Sequence, residues 1–240
     1  MQSRHLVRCL VVIAVAELLL FSTGCSGFLQ QYNLYSTGIQ VPGNKPLQKL
    51  EGKVCVLRAR VKTGHEGYQN MVSAALAGAL YELKGESQND LEIIPFSKFV
   101  NLVNERGMVE EYLAMSRTYD RGGLMPRDGL RMFRDELGID YFIKPTLLQL
   151  EQRSDKRLSV FSFRLIVTKE TTSELSAEIW ETRNGRKVWE NGCGISMAGE
   201  SIKETRISPE EVTRRVCRAL FQDIVSPKVE SDAAGTAQGE

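Results

Sequence analysis

Histidine is nearly absent from this chain: His5 and His65 are the only two among 240 residues. Cysteine is sparse as well, and no Cys/His spacing matches a zinc site. A metal centre is therefore not expected, and no catalytic residue or cofactor-binding motif presents itself. Charge of one sign is also missing, since the formal net charge is +1. Neither a nucleic-acid footprint nor a polybasic run suited to anionic lipid is visible. Long apolar runs are lacking too. A spanning helix needs roughly 20 apolar residues, and the longest run, Leu10 to Phe21, is much shorter and holds Glu17.

What is present begins at that run. Arg4 and Arg8 precede it, and the small residues Ser22, Thr23 and Gly24 end it at Cys25. A positive flank, a short apolar stretch and a small-residue end are the marks of a secretory signal. The block Ser22-Thr23-Gly24-Cys25 resembles a bacterial lipobox, which implies that Cys25 carries acyl chains (diacylglycerol and palmitate) and becomes the mature N-terminus. An ordinary signal peptide cut after Gly24 is the alternative. Ser26, where Asp would signal inner-membrane retention, implies the outer membrane, periplasmic face. Several acyl chains anchor a domain stably without any spanning helix. Without Arg4, Arg8 and Glu17 the charge falls from +1 to zero.

Cys55, Cys193 and Cys217 remain. Cys55 alternates with Leu57, Ala59 and Val61, and Cys217 shares a helical stripe with Val216, Phe221 and Ile224. A Cys55–Cys217 disulfide or three buried thiols both fit.

Along the chain, Ser26 to Leu50 shows turn formers and no sustained period, and reads as a tether. Val229 to Glu240 is small and polar, a disordered tail. Between them lie a strand over Lys53–Val61 and a helix with Val72, Leu76, Ala79, Leu80 and Leu83 on one stripe. "LEIIPF" follows as a strand. A helix capped by Ser97 and stopped by Gly107 comes next, then a helical stretch from Glu110 to Ser116 and the loop "YDRGGLMPRDG". Pro126 opens a helix that Gly138 ends. The strand "IDYFIKPTLLQL" contains Pro145, which demands an edge or a bulge. "LSVFSFRLIVTKE", with Phe161, Phe163, Leu165 and Val167 on one face, a strand through Leu175 to Ile179, and "KVWENGCGISM" complete a meander. In its last hairpin, a loop ending at Gly185 places Ile179 opposite Trp189, and a two-residue Asn184-Gly185 turn would place Trp180 there instead. The pattern prefers the first register, which buries Trp189, Cys193, Ile195 and Met197. A last helix is capped by Ser208, with Pro209 in its first turn.

The predicted class is α/β (α+β): a mixed sheet with helices packed on it, in the order β-α-β-α(α)-β-β-β-β-α. Residues 1–24 form the lipoprotein signal peptide, 25–50 the lipidated cysteine and tether, 51–226 one domain, and 227–240 the tail. Two motifs then carry a resemblance over roughly residues 50–226. One is a helix ending in Leu-Gly followed by Ile-Asp-Tyr and a strand, here Leu137 to Tyr141. The other is an acidic-Thr-x-x-Gly turn with Trp on the return strand, here Glu181, Thr182, Gly185 and Trp189. They resemble the periplasmic and outer-membrane lipoprotein superfamily that includes the curli secretion channel and the type B lipoprotein activator of penicillin-binding proteins. The resemblance implies a non-enzymatic module that binds or assembles envelope proteins, with an oligomeric ring or scaffold of an export system as the alternative. Implied partners are the membrane, through the lipid, envelope proteins, and further copies of this chain.

Smaller candidates stand beside this reading. "TGHEG" (Thr63 to Gly67) is an anion site or a plain turn before a helix, and His65 a general base or a solvated loop residue. Gly192 to Gly194 suggests a bulge. The "YDRGGLMP" loop and Trp180 are candidate partner surfaces, unless a helical layer covers Trp180.

Overall fold

The structure, a computed structural model, describes residues 31–39, 47–61, 64–87, 89–160, 163–201 and 208–227. The signal segment, Cys25, Phe161, Ser162 and the tail from residue 228 lie outside these. In chain order the elements are β1 (Gln31–Ile39), β2 (Gly52–Val56), β3 (Arg60–Val61), a 3-10 turn (Glu66–Tyr68), α1 (Gln69–Glu86), β4 (Leu91–Ile94) and α2 (Phe96–Glu105). There follow α3 (Val109–Gly122), α4 (Arg127–Leu137), β5 (Tyr141–Val160), β6 (Phe163–Glu181), β7 (Arg186–Ser201) and α5 (Pro209–Val225). The sheet runs β1-β7-β6-β5-β2-β4, with β3 beside β5. β2 is parallel to β4 and β5, and β5, β6, β7 and β1 are antiparallel in turn. This is the expected mixed sheet under helices.

Helices cover both faces. On one face the sheet residues Val54, Ile143, Leu175, Ile179 and Cys193 join Leu76, Leu80 and Leu83 of α1 and Val212, Val216, Cys217 and Phe221 of α5. On the other, Cys55, Leu57, Phe142 and Trp180 join Phe99 of α2, Met115 and Tyr119 of α3, and Leu130 and Phe133 of α4. Phe99, Phe133 and Phe142 pack pairwise at 5.7 Å between ring centroids, within the range of favourable edge contacts. Burying both faces explains why this domain supplies nearly continuous apolar runs in its inner strands.

The predicted Lys53–Val61 strand is broken at residues 57–59, where several backbone groups find other partners. Leu57 N donates to Ile143 O at 2.9 Å, Ala59 N to the buried Ser73 Oγ at 2.8 Å, and the Lys144 ammonium to Arg58 O at 3.0 Å. Pro145 lies on β5 between the residues paired with β2 (up to Ile143) and those paired with β3 (from Thr146). A residue with no N–H therefore sits in a central strand, at a gap in the neighbouring ladder rather than at an edge or bulge. The break also changes parity. Cys55 and Leu57 face α2–α4, whereas Ala59 faces α1.

Cys55 and Cys217 belong to cores on opposite faces of the sheet, which removes the Cys55–Cys217 disulfide. The sheet lies between the two residues, and a bridge needs Cα atoms within about 7 Å. Cys55, Cys193 and Cys217 are free and buried. Other expectations shift at boundaries. β1 lies within the stretch read as a tether, paired residue by residue with β7 from Gln31↔Ala198 to Ile39↔Glu190; an edge strand held by backbone needs no apolar alternation. Residues 163–181 are one strand where the pattern suggested two. Gly192 and Gly194 keep regular register with β6, and the irregularity falls at Ile179/Trp180 instead of a bulge at these glycines. Ser97 is not a cap: α2 starts at Phe96 with Pro95 before it. α3 runs to Gly122, so the long loop shrinks to residues 123–126. Ser208 does cap α5, accepting from Glu211 N at 3.1 Å, and Gly138 ends α4 at φ +67°.

The two motifs behind the resemblance meet at one end of the sheet. Asp140 N donates to Lys53 O at 2.8 Å, and its carboxylate accepts from Lys53 N at 2.9 Å. Thr182 N donates to Asp140 O at 3.0 Å, while its hydroxyl reaches Ile139 O at 2.7 Å and Asp140 O at 2.9 Å. Gly52, at φ +82°, leaves space that a Cβ would fill at 2.6 Å from Asp140 Oδ2. Gly52→Ala should therefore cost about 2 kcal/mol or more, from left-handed strain plus the clash. Asp140→Ala should cost about 1–3 kcal/mol. Because the contact is shared, urea unfolding of the double variant should show less than the sum of the two losses.

Candidate functional site

The sequence candidates scatter. Cys25 lies outside the described residues. In the loop before α1, Gly64 N donates to both carboxylate oxygens of Glu66 at 3.0 and 3.1 Å. The chain's own carboxylate thus occupies that amide, and backbone N–H groups hold Glu66 below its usual pKa. The loop is a self-capped turn. His65 lies 6.0 Å from the Tyr68 ring. Trp180 is 5% exposed beneath the α2–α4 layer, which withdraws it as a partner surface. Trp189 does pair with Ile179 and packs 5.1 Å from Phe221. Of the "YDRGGLMP" loop, Leu124 stays 64% exposed.

A polar cluster that the sequence did not reveal centres on Glu178. Register places Glu178 opposite Lys144 and two residues from Trp180, on the sheet face under α3. Its Oε2 accepts from Tyr119 Oη and from Trp180 Nε1, both at 2.9 Å. Its Oε1 accepts from Lys187 Nζ at 3.4 Å, and Lys187 also pairs with Glu190. The Lys144 ammonium lies 5.2 Å from the Tyr119 ring centroid. Burial lowers the Lys144 pKa, and burial followed by the charge of Glu178 raises that of Tyr119. A lysine with weakened proton affinity is a potential nucleophile, but the space between Lys144, Tyr119 and Met115 is about 10 Å³, room for about one water. The cluster clamps α3 to the sheet. The three thiols are no better placed for chemistry, since burial raises all of them, Cys193 to about 11.

An open groove of about 590 Å³ lies between α1 and α2. Ala74, Ala77, Gly78 and Tyr81 form one wall, and Phe96 and Val100 the other. It runs beside β4, an edge strand of the sheet. Tyr81, 48% exposed, donates its hydroxyl to Ile93 O at 2.9 Å and so covers a backbone acceptor of that edge. Small side chains on α1 are what open the groove. The stripe legible in the sequence, Val72, Leu76, Ala79, Leu80 and Leu83, does not include them.

Two measurements test the tyrosines of α3. Glu178→Gln should lower the alkaline titration midpoint of Tyr119, read by phenolate absorbance, and cost about 1–3 kcal/mol of stability. Tyr112 is pushed from 10.0 to about 12, mainly by burial. The folded chain keeps a proton there that the unfolded chain loses near pH 10. This share of stability is whole below that pH and should disappear as the pH rises towards about 12, which denaturant titrations at stepped pH would follow.

No known protein-family model and no curated protein matches the chain. Among solved structures it is similar to the PelC dodecamer from Paraburkholderia phytofirmans, with 12% identity, TM-score 0.42, and coverage of 80% of this chain and 96% of that one. It is also similar to lipoprotein GNA1162 from Neisseria meningitidis, with 13% identity, TM-score 0.34, and coverage of 64% and 86%. Both scores are below 0.5, and the reading of function rests on this chain's own residues.

Proposed function

We propose that this chain is a non-enzymatic lipoprotein of the outer membrane, anchored through Cys25 on the periplasmic face, that binds or assembles other envelope proteins. The observation that carries the reading is the short apolar run stopped by Ser22-Thr23-Gly24-Cys25 ahead of a folded domain. The α1–α2 groove supports the binding role. It is open, apolar and bordered by a sheet edge, and partner strands and helices use such surfaces. A ring or scaffold is the second reading. β1 and β4 are the two edges of one sheet, and a contact between unlike surfaces of successive copies closes rings.

Cys25→Ala should move the protein from the membrane to the soluble fraction and abolish acyl labelling; a variant that stays membrane-bound would contradict the anchor. Crosslinking in intact cells, followed by mass spectrometry, should capture a reproducible envelope protein. Exposed Ala74→Arg should reduce that capture several-fold while leaving thermal unfolding unchanged. Self-crosslinks alone would favour the ring.

A further inference from the structure

Two contacts fix how α5 lies across the sheet. Ser173 Oγ of β6 and Thr213 Oγ1 of α5 meet at 3.2 Å, and Ser173 stands opposite Ile195 of β7. Two turns further along the helix, Phe221 packs on Trp189 of β7 with ring centroids 5.1 Å apart. α5 therefore runs against the direction of β7, from the Ile195 row towards the Trp189 row. Thr213, Cys217 and Phe221 recur every four residues, which keeps them on one stripe of the helix. From Thr213 to Cys217 the helix advances about 6 Å. From Ile195 to Cys193 the strand advances about 7 Å in the same sense. Cys217 is thereby set over Cys193, and both are buried in the same core.

The approach is close as well as aligned. Ser173 and Thr213 touch through oxygens one atom beyond Cβ, the place that Sγ takes in cysteine. Helix and sheet are thus within reach of two such side chains, which is the condition for a disulfide. The thiols also sense each other, since burial and then the neighbouring Cys193 thiolate raise the proton affinity of Cys217. All three cysteines are free thiols in this structure, and Cys55 lies in the core on the opposite face.

We propose that Cys193 and Cys217 form a disulfide as the chain folds, stapling α5 to β7, and that Cys55 is the thiol left over. The bond forms by exchange with a disulfide oxidant. One cysteine thiolate attacks the S–S bond of the oxidant, and the second cysteine resolves the mixed disulfide. The oxidant leaves as two thiols, carrying off two electrons and two protons. Folding is the moment for this step, because in the folded domain burial keeps both thiols protonated and covered. That the chain meets such an oxidant in the cell rests on the lipoprotein reading, since exported chains fold in an oxidising compartment. The pairing itself is measurable without export.

The full chain carrying Cys9→Ser and Cys25→Ser is unfolded in urea with reductant, then refolded with reduced and oxidised glutathione. Free thiols are blocked with iodoacetamide in urea, and the peptides are mapped by mass spectrometry without reduction. A Cys193–Cys217 peptide pair and an alkylated Cys55 are expected. The oxidised protein should unfold about 5–10 °C above the same chain refolded with reductant. That gap should vanish in Cys193→Ala and persist in Cys55→Ala. Three alkylated cysteines, a bond to Cys55, no gap, or a gap that survives Cys193→Ala would overturn the proposal. Failure of the lipoprotein reading would appear separately, as absence of acyl labelling on Cys25 of the unsubstituted chain, and would leave the peptide map standing.

Discussion

Asp140 is the residue on which the rest of the architecture depends. It follows the helix stop at Gly138, opens β5, and exchanges two hydrogen bonds with Lys53 at the start of β2. Its carbonyl receives both the amide and the hydroxyl of Thr182 at the end of β6. Three central strands are thereby set in register at one point. Side-chain parity follows from register, so this junction decides which residues face α1 and α5 and which face α2–α4. A half-buried carboxylate can do this because its Oδ2 is matched by the backbone amide of Lys53.

From that fixed end the sheet changes character along its length. Near Asp140 it is buried on both faces, with the Phe99–Phe133–Phe142 group on one side and Leu76, Leu80 and Val216 on the other. Further out, β2 and β4 have ended, and the four antiparallel strands carry Thr172, Glu174, Ser176 and Ser196, all part-exposed. Packing from both faces is thus concentrated at the Asp140 end, and β1 begins at the other, where Gln31 pairs with Ala198.

Much of this was legible in the residues. Helical stripes, the Gly107 and Gly138 stops, the Ser208 cap and the Ile179–Trp189 register all follow from local chemistry that one sequence displays. What escaped was set by distant neighbours. β1 is held by backbone pairing to β7, which a polar edge strand does not advertise. Ala59 faces the opposite way from Cys55 across a break whose backbone groups are met by Ser73 and Lys144, 14 and 86 residues away from their respective partners. Trp180 faces away from α1 and α5, as its register implies, and is nevertheless buried, because the α2–α4 layer covers that face as well. The Glu178 cluster and the α1–α2 groove each join residues from separate elements, so no linear motif announces them.

The proposed anchor at Cys25 precedes Gln31 by six residues, and so belongs at the end of the sheet remote from Asp140. The most direct measurement places a fluorescent probe at Ser154 or at Arg183 in lipidated protein on bilayers containing brominated lipid. Strong quenching is expected at Ser154, on β5 towards the end where β1 begins, and little at Arg183, in the turn at the far end. Equal quenching at both positions, or stronger quenching at Arg183, would contradict it.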